Sequence, residues 1–295
     1  MPELPDVTVY IEALRERVQG ATLDKVALQN PFILRSVTPP PSEVTGHVVR
    51  DVLRIGKRIV LSFDGEYFAV IHLMIAGRLH WRDAKKPDLF AMHFSTGTLT
   101  LTESSTQKRA SLFFVSGRNG LAEFERGGLE VLTATQEEFA AALRRENHTL
   151  KRSLTDPRLF SGIGNAYSDE ILHRAQMSPT QLTKNLNDDQ CAALLRATQE
   201  VMREWIERLR REYAGKFPEK VTAFRPEMAV HGKFGEPCPA CGTKVQRIVY
   251  AANEANYCPR CQTGGKLLAD RALSRLLKGD WPKTIEELED RKAAR

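Results

Sequence analysis

The stretch Phe160-Ser-Gly-Ile-Gly-Asn-Ala-Tyr-Ser-Asp-Glu170 decides the fold of the second half of the chain. It lies between two helical segments, and Gly162 and Gly164 flank a tight turn. A turn without side chains lets a backbone approach a phosphate closely, and Asn165 begins a helix whose positive end faces an anion. We therefore predict a helix-turn-helix-like phosphate clamp, with Lys151 upstream as an added charge. A simple helix-capping loop is the alternative.

Capping boxes open helices on both sides of this element. Thr135 with Glu138 precedes a short apolar helix face, and Asn187 with Gln190 opens a long amphipathic helix. The second half of the chain is therefore predicted to be helical up to the loop at residues 214–235.

The first half has a different pattern. Residues 7–19 have helical apolar spacing, and eight short β-rich runs follow between residues 22 and 128, the last at residues 121–124. Glycine, proline and aspartate punctuate the runs. This pattern predicts an N-terminal helix plus a β-sandwich, and the whole fold is predicted to be α+β.

Two cysteine pairs indicate a metal site. Cys238-Pro-Ala-Cys241 and Cys258-Pro-Arg-Cys261 have zinc-ribbon spacing, in which each pair forms a knuckle. Four thiolates leave no open coordination position, so one structural Zn²⁺ per chain is expected, holding a hairpin at residues 245–257.

Composition and charge limit the class of protein. Lys and Arg total 43 against 37 acidic residues, which gives a net charge of +6 and a pI near 9.1. This balance permits a polyanionic partner without requiring one. The acidic, proline-rich start and the short longest apolar run, residues 67–77, predict neither a signal peptide nor a membrane span.

The first residues, Met1-Pro2-Glu3-Leu4-Pro5-Asp6, suggest chemistry at the amino terminus. Removal of Met1 would leave Pro2 as a secondary amine with a pKa of about 8, which is partly nucleophilic near neutral pH. Glu3 is close enough to move protons for that nitrogen. The alternative is that Pro2 and Pro5 only open a helix, since proline suits a first turn.

These stretches together resemble one family, the formamidopyrimidine-DNA glycosylase/endonuclease VIII family. The resemblance runs in order from residue 2 to residue 262, and it is carried by Pro2-Glu3-Leu4-Pro5, Gly56-Lys57, His72-Leu73, Gly77-Arg78, the element from Gly162 to Glu170, and the terminal cysteine pairs.

The resemblance implies catalytic roles at the start of the chain. Pro2 is similar to the nucleophile that displaces a damaged base and holds the sugar as an iminium. Glu3 is similar to the acid that protonates the sugar ring oxygen. Lys57 matches the family's lysine beside the lesion, although an exposed strand lysine without a role is the alternative.

The resemblance also implies DNA contacts. Asn165 and Tyr167 match phosphate-binding positions of a helix–two-turn–helix element, and Lys151 matches a neighbouring lysine. The methionine that usually enters the duplex falls at Ile75, beside Met74, so a hydrophobic wedge is retained in altered form.

Other positions depart from the family pattern. The arginine and phenylalanine that fill the emptied base stack are expected near Gly117 and Asn119, where Arg118 is the available substitute. The zinc-finger arginine that binds the lesion phosphate aligns with Asn253, which loses a bidentate contact. Arg247 or Arg260 would have to compensate.

One position in the first turn also differs, since Asp6 stands where glutamate is usual and has a shorter reach.

The predicted organisation has four parts. Residues 1–130 form the β-sandwich catalytic domain, residues 131–235 the helical domain, residues 236–262 the zinc finger and residues 263–295 a helical extension. That extension is predicted to dock on the helical domain, and binding a partner is the alternative.

The implied function is excision of oxidised bases from DNA, with abasic-site lyase activity by β,δ-elimination through a Schiff base on the N-terminal proline. Its partner is double-stranded DNA with oxidised bases or abasic sites. We expect a monomer that is cytoplasmic and nucleoid-associated. Oxidised pyrimidines are favoured over purines, and both stay open.

Two other functions are considered. A damaged-DNA-binding protein of the same fold with weak or no turnover is the first alternative. A zinc-ribbon nucleic-acid adaptor is the second, although it explains only residues 236–262.

Overall fold

The computed structural model describes residues 1–82, 89–222, 224–250, 253–269, 280 and 282–294. The chain divides into two compact units. The first comprises Met1–Gly128 and Arg203–Ala223, and the second comprises Leu129–Met202 and Phe224–Arg295. The α+β class is confirmed. The division into four parts stays a prediction.

The described residues contain both helices and strands. The helices are α1 Leu4–Val18, α2 Pro41–Val44, α3 Gly117–Ala122, α4 Gln136–Arg144, α5 Leu150–Thr155, α6 Asn165–Arg174, α7 Asp188–Glu212, α8 Pro259–Thr263 and α9 Ile285–Ala293. The strands are β1 Leu23–Leu28, β2 Val49–Ile55, β3 Arg58–Phe63, β4 Tyr67–His72, β5 Gly77–Trp81, β6 Phe90–Phe94, β7 Gly97–Glu103, β8 Ser111–Ser116, β9 Gln246–Tyr250 and β10 Asn253–Tyr257.

The first unit contains two antiparallel four-stranded sheets, ordered β1-β6-β7-β5 and β2-β3-β4-β8. Side chains from both sheets and from α1 share one apolar core, in which Leu14, Leu61 and Leu101 have no exposed surface. Burying one face of each sheet against the other makes this a β-sandwich. The predicted helix and sandwich are therefore confirmed.

Two predictions for this unit need correction. Strand β5 was not among the predicted runs, yet it pairs with β7 along its whole length. Residues 121–124, which were predicted as a strand, form the end of α3 and the turn after it. Leu121 and Phe124 are apolar because they cover the outer face of β3 and β4, and a short apolar run does not distinguish that position from a strand.

The end of α7 and the segment after it belong to the first unit. Arg210 on α7 makes an ion pair with Glu12 on α1, with Nε 3.0 Å from Oε2. The Phe217 ring lies 5.8 Å from that of Tyr10. These contacts fasten residues 203–222 to the N-terminal helix.

The second unit contains the predicted capping boxes. Thr135 accepts the Glu138 N–H and Glu138 accepts the Thr135 N–H, and the pair Asn187 and Gln190 does the same. Helices α5 and α6 flank the glycine turn, and β9 pairs with β10 as the predicted hairpin. The helix–two-turn–helix and zinc-finger elements are confirmed.

The described part of the C-terminal tail contacts the zinc finger. Thr284 caps α9, and the Ile285 N–H donates to the Gly265 carbonyl at 3.0 Å. The Leu268 N–H donates to the hydroxyl of Tyr257, the last residue of β10. Residues 270–279 of the predicted helical extension lie outside the described residues. Among the helices of the described residues, none combines the length and apolar character needed to span a membrane.

Candidate functional site

The amino terminus of the chain enters α1 through buried residues. Pro2 is buried, and Glu3, the residue before the helix, is 2% exposed. Asp6 accepts the Glu3 N–H at 2.9 Å through Oδ2. The shorter carboxylate at position 6 therefore fixes the backbone of Glu3.

Burial and nearby charges shift the pKa of the Met1 amino group. Burial lowers the pKa of the Met1 amino group, Glu3 and Asp6 raise it, and Arg78 and Lys57 lower it further. The net effect is a lowered pKa, which increases the nucleophilic, unprotonated fraction at neutral pH. Glu3 and Lys57 both act on the charge state of the amino terminus, and their catalytic roles stay predictions.

Lys57 lies in the turn between β2 and β3. Gly56 has φ +60°, and Arg54 Nη1 donates to the Gly56 carbonyl at 2.8 Å, so the turn is held from one side. On the neighbouring strand β4, His72 pairs with Arg58. Burial, Arg58 and Lys57 lower the pKa of His72 to about 4. His72 is therefore a neutral neighbour of two cations at physiological pH.

Ile75 occupies the tip of the turn between β4 and β5, and its side chain is 62% exposed. The Gly77 N–H donates to the Leu73 carbonyl at 2.9 Å, and a Cβ on Gly77 would lie 2.3 Å from that oxygen. Glycine is thus required to close the turn. Arg78 Nη1 donates to the Ile75 carbonyl at 3.2 Å. The turn therefore leaves Ile75 exposed to solvent.

A basic loop at residues 104–110 emerges at the same end of the sheet. Gly77 pairs with Glu103, the last residue of β7. The buried Glu103 carboxylate accepts the N–H groups of Arg109 at 2.9 Å and Ala110 at 3.1 Å, which shapes the loop. Lys108 and Arg109 are exposed. Sequence reasoning missed them, although an adjacent basic pair between two strands was the available signal.

Arg118 lies elsewhere in the first unit. Strand β8 pairs Ser111 with His72 and Ser116 with Tyr67, so residues after Ser116 emerge at the opposite end from Ile75. The Arg118 side chain is 89% exposed, and its Nε lies 3.7 Å from Glu66 Oε1. The structure therefore does not bring Arg118 together with Ile75. Its DNA-binding role stays a prediction, but one without support from its position.

In the second unit, the glycine turn leads into the amino terminus of α6. Gly162 has φ +82°, Gly164 is the cap and Asn165 is the first helical residue. The aligned peptide dipoles give the amino terminus of a helix a partial positive charge, which favours an anion there. Lys151 Nζ donates to the Asn165 carbonyl at 2.6 Å.

Tyr167 is 1% exposed and its hydroxyl is buried. A phosphate contact from this residue would have to come from its backbone.

Glu170, on the same helix, accepts three backbone N–H groups. They belong to Ala229 at 2.8 Å, and to Val230 and His231 at 2.9 Å each. Burial raises the pKa of Glu170, and the three N–H groups oppose that effect. This carboxylate therefore anchors the segment that leads into the zinc finger.

The four cysteines fit a tetrahedral metal ion. The Sγ atoms of Cys238, Cys241, Cys258 and Cys261 lie within 4.8 Å of one another, with contacts of 3.4 and 3.9 Å. A Zn–S bond of ~2.3 Å puts tetrahedral sulfurs ~3.8 Å apart. His173 of α6 lies against this group, with Nε2 3.2 Å from the Cys238 Sγ. The donor set supports a structural zinc ion.

The hairpin that this ion would hold begins pairing at Asn253, opposite Tyr250. Arg247, one expected substitute for a lost arginine, lies over the Phe234 ring at 4.6 Å and contacts Glu254 Oε2 at 3.3 Å. Arg260, the other substitute, is exposed on α8.

The fold and these sites define a zinc-finger protein of the helix–two-turn–helix DNA-binding class. Residues 1–119 match the family model of the formamidopyrimidine-DNA glycosylase N-terminal domain. Residues 129–213 match the formamidopyrimidine-DNA glycosylase H2TH domain, and residues 235–264 match the zinc finger found in FPG and IleRS.

Relatives extend this match over most of the chain. A formamidopyrimidine-DNA glycosylase of Heliobacterium modesticaldum is 30% identical over 89% of this chain and 100% of its own length. The crystal structure of the MutM (Fpg) protein of Thermus thermophilus has a TM-score of 0.76 at 30% identity, covering 88% of this chain and 98% of that one.

A third similar structure is a complex of wild-type Lactococcus lactis Fpg with DNA containing an oxidised pyrimidine. It has a TM-score of 0.77 at 25% identity, covering 89% of this chain and 100% of that one. The chain belongs to the formamidopyrimidine-DNA glycosylase/endonuclease VIII family.

Proposed function

We propose that this protein is a DNA glycosylase of base excision repair that also cleaves the resulting abasic site. The observation that carries the proposal is the amino terminus, where Pro2 and Glu3 are both buried and the Glu3 N–H donates to Asp6 Oδ2 at 2.9 Å. Family membership supports the glycosylase activity, and a proline directly behind Met1, which can become a nucleophilic secondary amine, supports the lyase activity.

In the proposed reaction, Met1 is first removed and the lone pair of the Pro2 nitrogen attacks C1′ of a flipped-out nucleotide. The glycosidic bond breaks as the N–C1′ bond forms, and the departing base takes up the proton that the nitrogen loses. Glu3 then protonates the sugar ring oxygen as the C1′–O4′ bond opens. The resulting iminium makes the C2′ proton acidic. Loss of that proton expels the 3′ phosphate, and δ-elimination then expels the 5′ phosphate.

The remaining predicted residues would bind duplex DNA around that nucleotide. Lys57 adds positive charge beside the amine, and Ile75 enters the space left by the flipped base. Asn165 at the start of α6 and Asn253 in the zinc hairpin would contact phosphates. A zinc ion bound to the four thiolates would fix the hairpin.

The substrate class that we propose is an oxidised pyrimidine in duplex DNA. The complex of the Lactococcus lactis relative with DNA containing an oxidised pyrimidine supports it. Two other similar structures are complexes with DNA that contains Fapy-dG and with DNA that contains a carbocyclic 8-oxo-G. Oxidised purines are therefore the competing substrate class. We further propose that the protein acts as a cytoplasmic, nucleoid-associated monomer.

The test is borohydride trapping with duplexes that each contain one defined lesion. We expect a covalent complex of protein and DNA, and mass spectrometry should locate the adduct on Pro2 of a protein that lacks Met1. A matched variant with one residue added before Pro2 keeps the side chains but acylates the nitrogen, and it should trap at least a hundredfold less.

Two outcomes would contradict parts of the proposal. Equal trapping by the blocked variant would refute the role of the Pro2 nitrogen. Tight binding of abasic DNA without excision of any base in the panel would instead favour the alternative of a damaged-DNA-binding protein.

A further inference from the structure

Asp169, on α6, has no exposed surface, although it is an acidic residue in a DNA-binding element. A buried carboxylate needs partners that donate hydrogen bonds or carry positive charge. The proposed function assigns no role to it. The side chains in contact with Asp169 indicate which segments of the chain it links.

Three side chains from three other segments converge on this carboxylate. Lys151 Nζ of α5 is 2.6 Å from Oδ1, and His231 Nδ1 is 2.8 Å from Oδ2. Asn256 Nδ2 of β10 donates to Oδ2 at 3.3 Å. A carboxylate only accepts, so His231 donates from Nδ1 here. Asp169 therefore joins α5, α6, the segment before the zinc finger, and the zinc hairpin.

Both ends of this network lead to surfaces that we expect to bind DNA. Lys151 also donates to the carbonyl of Asn165, the first residue of α6. Asn256 also donates to Glu254 Oε1 at 3.2 Å, and Glu254 contacts Arg247. The path from the phosphate-binding helix end to the outer face of the hairpin is thus continuous through Asp169.

We propose that Asp169 is a positioning residue for DNA binding, which sets the zinc hairpin relative to the amino terminus of α6 so that both reach the phosphate backbone together. The proposal rests on the proposed function. Lys151 is 12% exposed and already paired with Asp169. It therefore supports the helix end and is not a free charge for a phosphate.

The direction in which one substitution changes DNA affinity distinguishes positioning from simple electrostatics. Asp169→Asn removes a negative charge from a DNA-binding protein, and electrostatics alone predicts equal or tighter binding. If Asp169 positions the two surfaces, affinity for an abasic duplex should instead fall at least fivefold. Asp189→Asn, an exposed neutralisation at the start of α7, is the matched control and should leave affinity unchanged.

Further readouts separate positioning from general loss of structure. The zinc content of Asp169→Asn should stay at one per chain. Its single-turnover cleavage rate at saturating protein should equal that of the wild type, because the catalytic residues lie in the first unit. Lys151→Met should weaken DNA binding without changing its salt dependence. If Lys151 contacted a phosphate directly, its removal would lower the slope of log affinity against log salt concentration by about 0.9.

A second variant covers the case in which Asp169→Asn does not fold. Asn256→Ala breaks the link to the hairpin without changing any charge, and it should weaken binding with the same unchanged saturating rate. Unchanged or tighter binding by Asp169→Asn, or by Asn256→Ala, would overturn the inference. A wild-type protein that neither binds nor traps abasic DNA would instead refute the proposed function.

Discussion

Arg78 Nη1 donates to the Ile75 carbonyl at 3.2 Å, while the same guanidinium lowers the pKa of the terminal amine. One side chain therefore supports the exposed tip of the β4–β5 turn and also acts on the charge state of the amino terminus. Sequence analysis used Arg78 only as part of a motif.

The first prediction concerns the pH dependence of Schiff-base formation. Arg78 lowers the pKa of the Met1 amine, and we expect the same effect on the Pro2 nitrogen once Met1 is removed. Arg78→Met should therefore raise the pKa of the Pro2 nitrogen and leave a larger fraction protonated at pH 7. Trapping should slow at pH 7 and recover at higher pH. The measurement is the single-turnover trapping rate on a preformed abasic duplex across pH. Arg82→Met, an exposed change just after β5, is the control, and superimposable profiles for all three proteins would contradict the assignment.

The second prediction separates base release from strand cleavage. Glu3→Gln should reduce base excision by ~10²–10⁴-fold, the usual contribution of a general acid. Cleavage at a preformed abasic site should be affected less, because an open sugar needs no protonation of its ring oxygen. Both rates are measured on matched duplexes. Glu16→Gln, exposed near the end of α1, should change neither, and base excision by Glu3→Gln within threefold of wild type would count against the role.

The third prediction compares two exposed arginines of the first unit. Arg109 emerges at the same end of the sheet as Ile75, whereas Arg118 emerges at the other end of β8. Arg109→Ala should lower the salt slope of abasic-duplex binding by about 0.9, and Arg118→Ala should leave it unchanged. Titrations by fluorescence anisotropy at several salt concentrations test this. A lower salt slope for Arg118→Ala with an unchanged slope for Arg109→Ala would instead support the predicted DNA-binding role of Arg118.

The fourth prediction concerns the C-terminal tail and the metal. Ile285 is 2% exposed, and its N–H donates to Gly265 just after the second cysteine pair. Burying an isoleucine contributes about 1.5–3 kcal/mol, so Ile285→Asp should loosen the tail and speed zinc release to a chelator. Release is followed with a chromogenic chelator. Asp290→Asn, exposed on the same helix, should match wild type, and identical release from Ile285→Asp would show that the tail does not support the finger.

Short-range signals account for what the sequence predicted well. The capping boxes at Thr135 and Asn187, the cysteine pairs and the glycine turn before Asn165 each lie within a few residues. Their geometry depends on local backbone hydrogen bonds and on metal ligand spacing. Sequence alone therefore determined the α+β class, the zinc finger and the glycine turn that leads into α6.

Long-range pairing decided the rest. The register of Gly77 against Glu103 places Lys108 and Arg109 at the end of the sheet that carries Ile75, and the register of β8 sends Arg118 away from it. The side chain of Asp169 is buried because residues 151, 231 and 256 fold onto it from distant parts of the chain. Local propensity contains no information on which distant segments meet, because that depends on which sheet register and packing bury the most apolar surface and satisfy the buried polar groups.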